Sequence, residues 1–332
     1  MNILFDALPG TAMPVPEVTR QIAAMWREED AIGDKNLFNA HALQMNLIVH
    51  LGLDTKAEEG RNIFDQAIEF SQRYPCRIIV LCPEKPTDAE IALDAKLFSQ
   101  CFLGGESGDQ CCCEALVLGY GTNEVSFLEN QLSVWLASDL PVYHWLHRAS
   151  IDFFENGSQH LFGKARRIIF DSSIDGDAYR EIVYSHSEKF SDLANARTAR
   201  LRQSLGQFLA SISPQTLAAK LREAIVFAQP QSNAEGLSIL GWQKHNLEQC
   251  ALASQEDHSA SIFRLSNLAE EDPDVLQSKW SYEGENYLSW KLRKGSCIGW
   301  VDAHFDGHTS KHPVRADPFH PTKALAEALF FQ

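Results

Sequence analysis

Asn46-Leu-Ile-Val-His-Leu51, the stretch from Glu58 to Tyr74, and Arg77-Ile-Ile-Val-Leu-Cys82 follow one another with only short breaks, and their order decides the fold. The first and third are apolar runs of strand length. The second places Ile63, Phe64, Ala67 and Ile68 on one helical stripe. Strand, helix, strand at this spacing predicts a crossover connection between parallel strands.

Reading outward, Ala89 to Phe102 and Gln110 to Tyr120 form two more strands, an antiparallel pair turned at Gly104, Gly105 and Gly108. Phe127 to Ala137 has Leu128, Leu132, Trp135 and Leu136 at helical spacing, and Pro141 to Leu146 returns to strand. Arg166 to Asp171 is a further apolar run. Residues 37–190 therefore read as one α/β domain with a mixed sheet and crossover helices. Pro9, Pro14 and Pro16 mark residues 1–36 as an N-terminal extension, with regular packing beginning after it. Asp192 is placed to cap a long helix that carries Leu201, Leu205, Phe208 and Leu209 and ends at Pro214. Residues 191–332 then read as a smaller α+β domain: strands at 221–228, 261–268, 275–282, 287–294 and 296–303, a helix at 235–251, and a last helix at 322–330, with the strands antiparallel.

The chain has 332 residues, 29 Lys and Arg against 44 Asp and Glu, and a formal charge of −15. Such a field repels phosphate backbones and anionic lipid, which excludes nucleic acid as an expected partner. No apolar stretch approaches the ~18 residues of a membrane helix. Met1 to Gly10 carries Asp6 and no Lys or Arg, the wrong sign for a secretory leader. The eight cysteines are scattered apart from the triplet Cys111, Cys112, Cys113, with neither a disulfide framework nor C-x-x-C pairs. A cytoplasmic location is the expectation.

Gly119-Tyr-Gly121 has the strand-to-helix context of a dinucleotide fingerprint, but Glu124 puts a carboxylate where the third glycine would stand. No phosphate loop, nucleophile elbow or H-E-x-x-H occurs, and no cofactor is implied. Asp302, His304, Asp306 and His308 alternate, so an extended strand would present all four to one side as metal ligands; Gly307 and the polar residues after it favour a strand end fraying into a loop. His144 and His147 are weaker ligand candidates because the strand sends them in different directions. The cysteine triplet reads as buried small side chains before it reads as a redox centre, since no Lys, Arg or His adjoins it.

Asp139-Leu-Pro-Val-Tyr-His-Trp-Leu-His-Arg148, then Arg167-Ile-Ile-Phe-Asp171-Ser172-Ser173, then Asp192-Leu-Ala-Asn-Ala-Arg197 together resemble the OpcA family, the glucose-6-phosphate dehydrogenase assembly proteins or subunits. The order and spacing carry the likeness, with Asp139 and Pro141 among its signature residues. Asn46 to Val49, Cys112-Cys113-Glu114 and Gly241-Trp242 add to it. The sequence departs from the pattern at Leu146, Asn195 and Leu201, where relatives often carry tryptophan. The resemblance implies a protein without catalytic residues that binds glucose-6-phosphate dehydrogenase and promotes its active oligomeric state. Tyr143, Trp145 and Arg148 are the residue types of an interface hot spot, and Asp171, Ser172 and Arg197 are expected to form a polar cluster where the halves meet. The alternatives from other classes are a metal-dependent enzyme using the aspartate and histidine ladder, and a sugar-phosphate or nucleotide sensor.

Overall fold

A computed structural model describes residues 2–31, 43–86, 93–103, 110–123, 125–150, 159–176, 187–256, 260–316 and 320–331. The chain separates into two compact units, Met1–Ser191 with Pro321–Gln332, and Asp192–His320. The C-terminal helix thus joins the first unit rather than the half that precedes it in sequence.

The first unit begins with α1 (Ile3–Ala7), β1 (Thr11–Met13) and α2 (Val15–Ala31). Packing therefore starts at residue 2, not after residue 36. Asn2 caps α1 by accepting from the Phe5 amide, Leu4, Phe5 and Leu8 are buried, and β1 adds antiparallel to the edge of the sheet. Buried Lys96 fastens this segment by donating to the carbonyls of Phe5, Asp6 and Leu8 at 2.7, 3.2 and 3.2 Å. Three buried apolar side chains and a buried cation hold what the prolines made look like a tail.

Then follow β2 (Met45–Leu51), α3 (Ala57–Arg73), β3 (Cys76–Glu84), β4 (Asp94–Leu103), β5 (Gln110–Gly121), α4 (Val125–Trp135), β6 (Val142–His147), α5 (Gln159–Gly163), β7 (Ala165–Phe170), α6 (Ser172–Asp175) and β8 (Phe190–Asp192). The sheet order is β1-β4-β5-β3-β2-β6-β7-β8. β5, β3, β2, β6 and β7 are mutually parallel, while β4 pairs antiparallel with β5. This is the mixed α/β sheet with crossover helices that the sequence predicts. Its central strands are buried along their length because helices cover both faces. Pro83 does not end β3: the strand continues to Glu84, past the last pair that β2 makes at His50 and Leu81, where a missing N–H costs no ladder bond. The glycine turn expected at residues 104, 105 and 108, and Glu124, lie outside the described residues.

Asn46, fully buried in β2, ties the loop before β6 to the sheet. Its Nδ2 donates to the carbonyls of Ala137 and Leu140 at 3.0 and 3.3 Å, and its Oδ1 accepts from the Ala137 amide at 2.9 Å. Asn46→Ala should cost about 2–3 kcal/mol in urea denaturation, because three partly buried backbone groups lose the partner that Asn46 supplies from the core; a loss below about 0.5 kcal/mol would show that water replaces the amide.

The second unit holds α7 (Leu193–Arg197), α8 (Ala199–Leu209), α9 (Pro214–Ala218), β9 (Leu221–Ala228), α10 (Asn233–Ser254), β10 (Ile262–Asn267), β11 (Asp274–Tyr282), β12 (Tyr287–Arg293), β13 (Ile298–Phe305) and β14 (His308–Arg315). Asp192 does cap a helix, accepting from the Ala194 amide, but the helix breaks at Thr198 into α7 and α8. The sheet order is β10-β9-β11-β12-β13-β14, antiparallel throughout except that β10 runs parallel to β9 across the α10 crossover. Its core holds Trp280, Trp290, Val226, Val301 and Ile239 of α10.

The aspartate and histidine ladder does not form. The strand ends at Phe305, Asp306 and Gly307 take positive φ of 53° and 79°, and the chain turns back so that His308 pairs with Phe305. Asp-Gly with two left-handed residues is the two-residue turn that matches strand twist. Asp302 accepts from the Tyr287 hydroxyl at 2.9 Å and His304 Nδ1 meets Thr309 Oγ1 at 2.8 Å, so the two partners on β13 are spent on neighbouring strands. Among the described residues no group of three or more His, Cys, Asp or Glu is placed to hold a metal ion.

Candidate functional site

In the first unit the strand order reverses beside β2: the chain proceeds outward through β3 and β5, then returns to lay β6 and β7 on the other flank. Crevices form outside the carboxyl ends of parallel strands at such a reversal. Here the ends of β2, β6 and β7 bring Gly52, Glu59, His147, Arg148, Asp171 and Asp175 together.

Close backbone approach organises the group. The Gly52 amide donates to the His147 carbonyl at 2.8 Å, and a Cβ on Gly52 would stand 1.6 Å from the Arg148 carbonyl oxygen. Arg148 adopts φ +54°, a conformation unfavourable for a side chain of its size, and its amide donates to Asp175 Oδ1 at 2.9 Å. Asp171 ends β7 and caps the short α6 by accepting from the Ser173 amide at 3.0 Å and its hydroxyl at 2.6 Å. That turn delivers Asp175 to the Arg148 amide.

Glu59, in the first turn of α3, accepts from Arg148 Nε at 2.9 and 3.0 Å and lies 3.0 Å from His147 Nε2. Burial alone would raise its pKa, but the hydrogen bond from Arg148 and the charges of His147 and Arg148 outweigh this and lower it. Burial lowers the pKa of His147 against the opposing pull of the Glu59 carboxylate. Asp175 goes the other way: burial pushes it up to about 7 against the amide bonds from Arg148 and Asp171, and its Oδ2 has no hydrogen-bond partner. With Arg148 39% exposed, its ion pair with Glu59 is worth at most about 1 kcal/mol.

One layer below, His50 of β2 and His144 of β6 share a hydrogen bond of 2.8 Å between Nε2 and Nδ1, with Phe162 of α5 packed on both rings. His144 and His147 therefore do diverge: the first enters the core and the second the carboxyl edge. A separate cavity beside Arg77 and Trp135 holds about 10 Å³, room for one water.

Chemically, the edge is a polar network in which Glu59 accepts from Arg148, Asp171 and Asp175 Oδ1 accept from backbone amides, Asp175 Oδ2 is left without a hydrogen-bond partner, and His147 is buried. What faces outward is the rest of the Arg148 guanidinium, with Leu53 beside Gly52 and Ile174 beside Asp175 both exposed.

Of the residues singled out in the sequence, Arg148, Asp171 and Ser172 come together here. Tyr143 and Trp145 are 3% exposed; Tyr143 packs on Phe330 of the C-terminal helix, with ring centroids 6.0 Å apart. Asp139 is exposed in the loop before β6, and the Pro141 carbonyl accepts from the Asn46 amide. Arg197 belongs to the second unit, where its Nε donates to Glu235 at 2.6 Å. Leu146 and Leu201 are core positions, and Asn195 Oδ1 accepts from Ser238. Cys113 is buried in β5 and Cys101 of β4 is disulfide-bonded; the side chains of Cys111 and Cys112 lie outside the described residues. Gly52, Glu59, His50 and Asp175 were not picked out from the sequence, although a glycine directly after a buried strand and an acid in the following helix's first turn are the pattern of a strand-to-helix loop at a sheet's carboxyl edge.

Residues 67–186 match the family described as the glucose-6-phosphate dehydrogenase subunit N-terminal domain. That span runs from α3 to beyond α6 and includes His144, His147, Arg148, Asp171 and Asp175. A protein of Synechocystis sp. provisionally named OxPP cycle protein OpcA is 24% identical over 196 residues, covering 57% of this chain. The chain spans 40% of that relative's length.

Proposed function

We propose that this chain is a non-catalytic subunit that binds glucose-6-phosphate dehydrogenase in the cytoplasm and favours its active oligomeric form, feeding the oxidative pentose phosphate pathway. The single observation that carries the reading is the match of residues 67–186 to the N-terminal domain of dehydrogenase subunits, a span that includes β6 and β7 of the carboxyl edge with Arg148, Asp171 and Asp175. The edge itself agrees with it: a strained, hydrogen-bonded backbone presents Arg148, Leu53 and Ile174 while the acids and the histidine face one another. Activation of this kind needs differential affinity. A subunit that binds the active form ~1–3 kcal/mol more tightly than the inactive one raises activity several-fold or more, and equal affinity does nothing.

The test is to run the chain and the dehydrogenase of the same cell together on a sizing column. Co-elution in a larger species is expected, weakened by Arg148→Glu, which places a carboxylate beside Glu59 and Asp175. Unchanged elution of both proteins, with unchanged dehydrogenase kinetics, refutes the reading.

A further inference from the structure

The six-stranded sheet of the second unit has one face packed on its helices and core and one face open. Alternation along the strands turns Trp290, Val301 and Leu288 inward and leaves Tyr287, Lys291, Trp300, Asp302 and His304 outward. Trp300 is 50% exposed and Tyr287 38%. Large aromatic side chains at this exposure, on neighbouring strands, are the residue types that anchor interfaces.

The charge of this face runs against the charge of the chain. Lys279, Lys291, Lys311 and Arg264 stand on it, against Glu223 and Asp302. Both acids are engaged, Glu223 with Ser281 and Arg264, and Asp302 with Tyr287. The lysines lie over rings instead: Lys279 above Phe227 and Lys311 above Trp300, each 5.7 Å from the centroid. In a protein of charge −15 this is a local cationic and aromatic surface.

The rings decide between the two kinds of polyanion that would fit. Tyr287 stacks on His304, with planes 15° apart, and Lys311 covers Trp300. Bases stack on free ring faces, and one face of each of these rings is already covered. Carboxylates approaching from a folded surface meet lysine ammonium groups and the apolar ring edges instead.

We propose that the open face of this sheet docks a carboxylate-rich protein surface and, resting on the function proposed above, that the surface belongs to the dehydrogenase. The full-length chain and two variants, Lys279→Glu/Lys291→Glu/Lys311→Glu and Trp300→Ala, test it. All three positions in the triple variant and Trp300 are surface sites, so far-ultraviolet circular dichroism and melting temperature should match the wild type. The wild type should bind the dehydrogenase with affinity that falls as salt rises. The triple variant should bind about 100-fold more weakly and Trp300→Ala at least about 10-fold more weakly.

Folded variants that bind the dehydrogenase like the wild type overturn the docking face and leave the function standing. If the wild type itself does not bind the dehydrogenase, the functional reading fails, and retention on immobilised poly-L-glutamate decides the face alone: wild type retained and triple variant released supports it, and no difference overturns it. Tighter binding to a uridine oligonucleotide than to poly-L-glutamate overturns the choice of occupant, as does a dimer of the chain alone, seen by ultracentrifugation, that the triple variant abolishes.

Discussion

Gly52→Ala should destabilise the first unit by at least ~3 kcal/mol, read as a fall in the urea midpoint, or prevent folding outright. The added Cβ would stand 1.6 Å from the Arg148 carbonyl oxygen and 2.3 Å from its carbon, and both are backbone atoms that cannot swing aside. Relief would require parting β2 from β6 at their carboxyl ends, breaking the bond from the Gly52 amide to the His147 carbonyl and displacing Arg148 from Asp175. Overpacking of a rigid site costs ~1–3 kcal/mol even where side chains can adjust, and here two backbones must. A midpoint within about 0.5 kcal/mol of the wild type would mean that the strands do not approach as described.

Acidification should unfold the protein earlier than its surface charges would. His50 is fully buried and held to about 3, and burial holds His144 well below the ordinary imidazole value with the neighbouring His50 adding to the effect. In the unfolded chain both titrate near 6.5. Between 6.5 and about 3 the unfolded state binds more protons, so stability is fully present above 6.5 and is lost as pH falls through that window. The loss from His50 alone is on the order of a few kcal/mol. Asp175 opposes it. Its folded pKa is raised to about 7 from 3.8, so its contribution is present below about 4 and lost as pH rises to 7. Two fully buried rings outweigh one partly exposed carboxyl, and the net slope in urea midpoints between pH 6.5 and 4 should be downward on acidification. His50→Leu/His144→Leu should flatten that slope; an equally steep slope in the double variant would assign it elsewhere.

The first sheet was legible in sequence because its parallel strands are continuous apolar runs and its helices carry clear stripes; Asn46 to Leu51 and Arg77 to Cys82 announce a crossover without help from context. The reading failed where local punctuation competes with tertiary anchoring. Pro9, Pro14 and Pro16 look like a tail, yet Lys96, more than 80 residues away, gathers the carbonyls that make α1 part of the core. Asp306-Gly307 was legible only in part: Gly307 marks the end of a strand, but Asp-Gly between alternating residues is a hairpin turn into β14 rather than an end fraying into a loop. The carboxyl edge was half visible. Arg148 and Asp171 stand in a marked stretch, but their partners Glu59 and Asp175 are ordinary acids until the strand order brings them together. Tyr143 and Trp145 show why residue type alone does not place an anchor, since alternation and the C-terminal helix decide whether a strand's aromatic faces solvent.

The most direct measurement of whether this chain acts by binding is the initial rate of the dehydrogenase, at subsaturating glucose 6-phosphate and physiological salt, as purified chain is added. A saturable rise that levels at a fixed molar ratio is the predicted result. A flat rate across the whole titration, together with turnover of a substrate by the chain alone that a point replacement within it abolishes, would contradict it.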